Sequence, residues 1–216
     1  DQTFTEDNIA DTLEYAVEKG FVDKGLPLAQ RKDVVGRLAQ TVVDRLLDLP
    51  PSSWPLLFSE MNTGFVQKQL ALWSADAENE ATYTDAGWAG GVASSAVSDQ
   101  LMIVDANLGA LKTDAVMERS VDYAIAPSST SYRATVTLRY TNNGAYTWKT
   151  TTYKTFTRVY APLGSVLVSA PQGVVQADEL GMTNFGAFLS IEPRTTKEFT
   201  FVYDLPSSVN AMIAKG

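Results

Sequence analysis

The sequence predicts an α+β fold: an N-terminal helical segment over residues 1–98, then an antiparallel β-sandwich over residues 99–216. Three observations predict it. Apolar residues recur at helical spacing through the first third of the chain, with helix start and stop residues between the runs. From Leu101 onward the period changes to two, in segments rich in Val, Thr, Tyr and Phe. Turn clusters punctuate those segments at the short spacing of a sandwich, namely Asn142-Asn-Gly144, Ala161-Pro-Leu-Gly164, Pro171-Gln-Gly173 and Glu192-Pro-Arg194.

In chain order, Thr3 and Glu6 have the spacing of a capping box, in which each side chain satisfies a free backbone N–H at a helix start. Ile9, Leu13, Ala16 and Val17 continue one face, and Gly20 is the expected stop. Pro27 offers the first turn of a second helix, whose apolar face is Val34, Val35, Leu38, Val42, Leu46 and Leu47. Pro50-Pro51 ends it. Ser53 followed by Trp54-Pro55 reads as a cap and first turn for a third helix through Leu56, Leu57 and Met61. These stripes are expected to form a helix-bundle core. Leu70 and Leu72 alternate as in a short strand, and the polar stretch Asp76 to Asp85 is open to helix or loop. Gly87-Trp-Ala-Gly-Gly91 is a break, with Trp88 plugging a core edge or, alternatively, stacking on a sugar. Expected strands follow at Leu101–Val104, Val116–Ile125, Tyr132–Tyr140, Thr150–Tyr160, Ser165–Ser169, Phe185–Ile191 and Lys197–Tyr203.

Composition narrows the chemistry. A net charge of −8 and pI near 4.6, with Lys and Arg scattered, argue against a nucleic-acid surface or a polybasic membrane patch. The chain has no His and no Cys. Ser-His-Asp and Cys-His catalysis, His-ligated zinc, thiolate metal sites and disulfides are therefore out of reach. No apolar run approaches the ~20 residues that span a bilayer. No signal peptide is read, and the abrupt start at Asp1 is that expected of a piece of a longer precursor. Phosphate loop, dinucleotide fingerprint and nucleophile elbow are all missing, and no cofactor is expected.

The polar residues following Leu101–Val104 are the first candidate site. Asp105, Asn107 and Gly109 have the opening spacing of a calcium loop. Counted from Asp105, position five is Gly109, six is Ala110 and twelve is Val116, so three EF-hand requirements fail. A calcium site of another kind stays open beside the favoured reading, in which Asp105 and Asn107 cap a turn after the strand. Lys112 and Asp114 then tie the connection to the sandwich, so Asp105, Asn107, Lys112 and Asp114 form a structural brace. Strand alternation puts Glu118 and Ser120 on one face and Arg119 on the other, which splits any charged catalytic cluster; no catalytic residue and no metal ligand is assigned. The second candidate is a contact surface. Lys154, Phe156, Arg158 and Tyr160 share one strand face, and Tyr146 and Trp148 lie close to Asn142-Asn-Gly144. With Trp88, the binding candidates are Tyr146, Trp148, Lys154, Arg158 and Tyr160.

Several of these stretches together resemble the C-terminal portion of DUF4012, a bacterial family of unassigned function. They are Phe4-Thr-Glu-Asp-Asn8, Gly87-Trp-Ala-Gly90, the run from Ser98 through Val104-Asp-Ala-Asn107 to Lys112-Thr-Asp114, Glu118-Arg-Ser-Val-Asp-Tyr123, Phe156-Thr-Arg-Val-Tyr-Ala-Pro-Leu-Gly-Ser165, and Phe199-Thr-Phe-Val-Tyr-Asp-Leu-Pro206. The resemblance implies a membrane-anchored protein with a large extracytoplasmic region, at the envelope or surface of a bacterium. It implies a membrane link only through a segment outside this chain. It supplies no catalytic residues. The expected function is a non-catalytic extracytoplasmic module that binds an envelope protein or glycan. One alternative is the accessory C-terminal half of an envelope glycopolymer transferase similar to the LytR-CpsA-Psr enzymes. A calcium-dependent adhesion domain is a third reading.

Overall fold

The computed structural model describes residues 3–92, 98–109, 111–129 and 131–209; the remaining parts of the two expected segments lie outside these residues. The fold is α+β, with helices first and then two antiparallel four-stranded sheets. The chain divides into two units, Asp1–Gly91 and Val92–Gly216.

In the first unit, α1 (Ile9–Tyr15) runs through a π-turn at Ala16–Gly20 into α2 (Phe21–Asp23). The Thr3–Glu6 capping box gives way to Asn8, whose Oδ1 accepts from the Thr5 N–H at 2.9 Å while its amide donates to the Thr3 carbonyl at 3.3 Å. A short amide side chain competes well for nearby backbone groups, and here it wins. The stop is Gly25, not Gly20. With φ of 64°, Gly25 donates to Val22 O at 2.9 Å, and Leu26 donates to Phe21 O at 2.8 Å. That pair of bonds satisfies two carbonyls the helix leaves open.

Pro27 is extended and precedes a 3₁₀ turn at Leu28–Gln30, after which α3 covers Asp33–Leu47. Ser53 occupies the N-cap of α4 (Trp54–Val66), with Pro55 in its first turn. The Asp76–Asp85 stretch resolves into α5 (Ala77–Asp85), where the Asp76 carboxylate accepts from the Asn79 N–H at 3.0 Å. Gly87, with φ of 73°, ends α5. The possible strand around Leu72 reduces to one parallel bridge to Ala89.

The expected bundle core does not form. Among the described residues of this unit only Gly20, Gly64, Phe65 and Ala89 are buried, while Val35, Val42, Leu46 and Leu47 of α3 are exposed. The run from α1 through the π-turn to α2 spans residues 9–23, as long as α3, so length does not prevent cover. The α3 stripe is left largely open because only part of it, around Val34 and Leu38, is even half-buried.

The second unit is built from β1 (Met102–Asn107), β2 (Met117–Pro127), β3 (Tyr132–Asn142), β4 (Tyr153–Pro162), β5 (Val166–Ser169), β6 (Val175–Glu179), β7 (Met182–Ile191) and β8 (Thr195–Asp204). One sheet has the order β1-β4-β7-β6 and the other β2-β3-β8-β5, with every pairing antiparallel. Strand β6 has no counterpart in the sequence reading. Its five residues are all exposed, so it lacks the apolar alternation that marks a strand. A tight turn with positive φ at both Leu180 (56°) and Gly181 (70°) returns it to β7, the twist a two-residue hairpin needs.

Alternate residues of both sheets meet in the core. Val136, Leu138 and Tyr140 of β3 and Phe201 and Tyr203 of β8 belong to the same cluster as Tyr153, Val159, Phe185, Leu189 and Ile191. The Phe185 and Tyr203 rings lie 5.4 Å apart across the two sheets. Each such side chain contributes about 1.5–3 kcal/mol when fully buried.

Burial pushes the phenols of Tyr123, Tyr140 and Tyr203 up from their ordinary value of 10.0, that of Tyr203 to about 12. The folded sandwich therefore holds these protons after the unfolded chain has released them. The stabilisation is complete below pH 10 and falls as pH rises through 10 toward 12. Urea titrations at stepped pH are expected to show constant stability from pH 7 to 9.5 and a steep decline above about 10. A flat profile to pH 12 would contradict the buried, un-ionised state of these tyrosines.

Candidate functional site

Of the two residues expected to cap the strand exit, Asn107 does so and Asp105 does not. Asp105 lies inside β1, opposite Thr157 of β4. Strand parity turns its carboxylate toward the inside of the sandwich, together with Tyr153, Thr155 and Thr157 of β4 and Arg119 and Tyr140 of the opposite sheet. There both oxygens are engaged. Oδ1 accepts from the Tyr140 hydroxyl at 2.9 Å and the Thr157 hydroxyl at 2.5 Å; Oδ2 accepts from Arg119 Nε at 2.9 Å.

Arg119 is the hub that the alternation argument had set apart. Its Nη2 reaches Asp114 Oδ1 at 2.5 Å and the Tyr153 hydroxyl at 2.9 Å, and its guanidinium lies 5.2 Å from the centre of the Tyr153 ring. The alternation itself holds, with Arg119 and Glu118 on opposite faces. What it missed is that the inner face of an edge strand can carry a charge when the other sheet supplies the counter-charge. Partial burial works against the Arg119 charge, but the Tyr153 hydroxyl and the Asp105 carboxylate together hold the guanidinium above its ordinary value.

The other two brace candidates have different roles. Asn107 shapes the following turn: Oδ1 accepts from the Gly109 N–H at 2.8 Å, and Nδ2 donates to the Leu111 carbonyl at 2.9 Å. Lys112 contributes its backbone, donating its N–H to the Lys149 carbonyl at 2.9 Å. Among the described residues no group of three or more acidic side chains is arranged to hold a metal ion. Asp105 and Asp114 are bridged by a guanidinium, which occupies the space and the charge a cation would need.

The contact candidates divide into a loop and a sheet face. Tyr146 and Trp148 sit in the connection from β3 to β4, 70% and 44% exposed, with the Tyr146 hydroxyl 3.2 Å from Thr152 Oγ1. Asn142, buried at the root of this loop, accepts from the Gly144 N–H at 3.0 Å and donates to Thr151 O and Ile191 O, each at 3.1 Å. The Asn-Asn-Gly signal thus anchors a crossing between the two sheets. Trp88 lies in the helical unit, half-buried and stacked on Phe65 at 5.2 Å.

Lys154, Phe156, Arg158 and Tyr160 share the outer face of the β1-β4-β7-β6 sheet, as their spacing required. Tyr160 is buried and gives its hydroxyl proton to Glu179 at 2.6 Å. Around Arg158 the register builds a row across all four strands: Val104, Arg158, Gly186, Val175. The neighbouring row is Ala106, Phe156, Phe188. The rings of Phe156 and Phe188 lie 4.7 Å apart, and Arg158 sits 4.8 Å over Phe156. A Cβ on Gly186 would stand 2.6 Å from the Phe156 ring, so glycine lets that ring lie down on the sheet. Phe188 stays 71% exposed and Val175 56% exposed. Sequence reasoning found Phe156 and Arg158 and missed Phe188 and Val175, whose outward parity is visible only once β6 and β7 are registered.

No protein-family model, curated protein or solved structure matches this chain.

Replacing Asp105 by Ala is expected to lower stability by about 1–3 kcal/mol, because Arg119 and two hydroxyls lose a half-buried acceptor. Chemical denaturation of Asp105→Ala, Arg119→Ala and the double variant is expected to show coupling, with the second substitution costing less than it does alone. Simple additivity would show that the two side chains do not act as a unit.

Proposed function

We propose that this chain is a non-catalytic module of a bacterial cell-envelope or surface protein, and that it binds a protein partner through the outer face of the β1-β4-β7-β6 sheet. One observation carries this reading: Phe188, in an interior strand, exposes 71% of its surface beside Phe156, Val175, Val104 and the stacked Arg158. Aromatic residues and Arg are the side chains most enriched at protein interfaces. The opposite outer face supplies an internal contrast. It carries Thr pairs (Thr141 with Thr196 at 2.8 Å, Thr137 with Thr200 at 3.4 Å) and the Arg139–Glu198 ion pair. A solvated sheet face looks like that one; the aromatic face does not.

The non-catalytic part is supported by how the junction carboxylates are used. Asp105 accepts from Arg119 and from two hydroxyls, so both of its oxygens are engaged within the fold, and Asp114 accepts from Arg119 through Oδ1. The envelope location rests on the resemblance to DUF4012 described above.

These 216 residues contain no cysteine, so an introduced thiol is read against the parent protein as the control. A Leu163→Cys variant of the full-length protein, at a half-exposed loop site, is expected to react with a membrane-impermeant maleimide on intact cells. Labelling only after lysis would overturn the envelope assignment. For the binding face, a photoreactive benzoylphenylalanine replacing Phe188 is expected to give a discrete cross-linked protein in cells, and the same group at Thr200 none. Equal products at both positions, or none at Phe188, would remove the interface. Phe188→Ser is expected to cost about 0.5–1.5 kcal/mol, the loss of the ring pair with Phe156, and to leave the sandwich folded because Phe188 is 71% exposed.

A further inference from the structure

The helical unit holds a groove of mixed lining, apolar and basic side chains together, that the sheet-face reading does not use. Its volume is about 820 Å³, and it runs between the α1–α2 segment and α3. Phe4, Ile9 and Phe21 form one wall, and Val34, Leu38 and Val42 the other. Lys24, Arg31, Arg37 and Arg45 line it as well, with Glu6 as the acidic side chain among the lining residues. The volume falls within the roughly 300–1,000 Å³ typical of small-molecule sites.

Charge makes this placement informative. Residues 1–91 contain fifteen acidic and seven basic side chains, a net of −8, whereas residues 92–216 contain ten of each. Four of the seven bases in the acidic unit thus collect at one groove. Arg31 is within 3.7 Å of Glu18. Arg37 and Arg45 make no ion pair among the described residues, although acids surround them in sequence. They stand eight residues apart on α3, with Leu38 and Val42 between them among the groove residues. The α3 positions in contact with the groove, from Val34 to Arg45, cover about 16 Å of helix at 1.5 Å per residue.

We propose that this groove binds a free fatty acid, its acyl chain along the apolar walls and its carboxylate on Arg37 or Arg45. A groove that sets apolar side chains beside guanidiniums outside any ion pair complements a molecule that has one long apolar part and one anionic end. A guanidinium takes a carboxylate through two parallel hydrogen bonds.

The test uses the whole chain and 11-(dansylamino)undecanoic acid as fluorescent probe, below its micellar concentration. Saturable binding at one site per chain is expected, displaced by dodecanoate. Each methylene added to the competitor is expected to tighten binding by about threefold to fourfold, the worth of a buried CH₂. Dodecanol is expected to compete about tenfold or more weakly than dodecanoate, having lost the charged hydrogen bonds. The Arg37→Gln/Arg45→Gln variant is expected to lose the preference for the carboxylate while keeping the affinity for the alcohol, a result that misfolding would not give. Leu38→Asp is expected to abolish both. Lack of saturable binding, equal affinity for acid and alcohol in the unaltered chain, no dependence on chain length, or an unchanged Arg double variant would each overturn the proposal. None of these outcomes bears on the sheet face, so the two readings stand or fall separately.

Discussion

The sandwich depends on the Asp105–Arg119 contact. Both residues lie on edge strands, β1 in one sheet and β2 in the other, and they meet at the margin of the sandwich, where the Asp105 side chain is 12% and the Arg119 side chain 33% accessible. A carboxylate so largely shielded from water needs its acceptor sites filled, and the guanidinium, still reached by solvent, supplies one of the donors. The need of the carboxylate sets the geometry. Tyr140 and Thr157 must bring their hydroxyls to one carboxylate oxygen, which ties β3 and β4 to the same point. Asp114 takes the far side of the guanidinium and pins the connection between β1 and β2. At this margin of the sandwich the apolar core gives way to a polar cluster that links strands of both sheets.

The architecture was readable where the local signal and the packing agree. The change of period at Leu101 marks the sandwich because strands with one face in a core alternate, and β3, β4 and β8 do so with little interruption. Strand β6 was not readable, because an edge strand open on both faces has no alternation to show. In the helical unit the stripes of α3 were read correctly as apolar, but a stripe states only that something covers it, not that another helix does. The site followed the same rule. Asp105 and Asp114 were recognised as architectural, but Arg119, Tyr140 and Thr157 come from strands far apart in sequence, and only the stacking of the two sheets brings them to the carboxylate. Lys112, near in sequence, joins through its backbone instead.

The two units are chemically unlike. The sandwich balances its charges and hides its aromatic residues, save on one sheet face and on the β3–β4 loop. The helical unit carries all of the chain's net charge and leaves much of its apolar surface uncovered. Surface of that kind is kept in water only at a cost, and contiguous apolar area of this extent usually marks a contact. Both candidate surfaces follow from this one asymmetry: each is apolar area with guanidinium at its border, where a ligand can be oriented as well as covered.

Gly186 ties the appearance of the aromatic face to the backbone beneath it. Its missing side chain is the seat of the Phe156 ring, so the flatness of the patch belongs to two positions at once. Over evolutionary time such positions cannot drift alone. A lineage that gained a side chain at 186 would have to shrink or reorient the ring at 156, and one that lost the ring would leave the glycine as a needless weakness in an interior strand. The pair is inherited as one character, and its joint presence or joint loss among descendants would record whether this face was kept under selection.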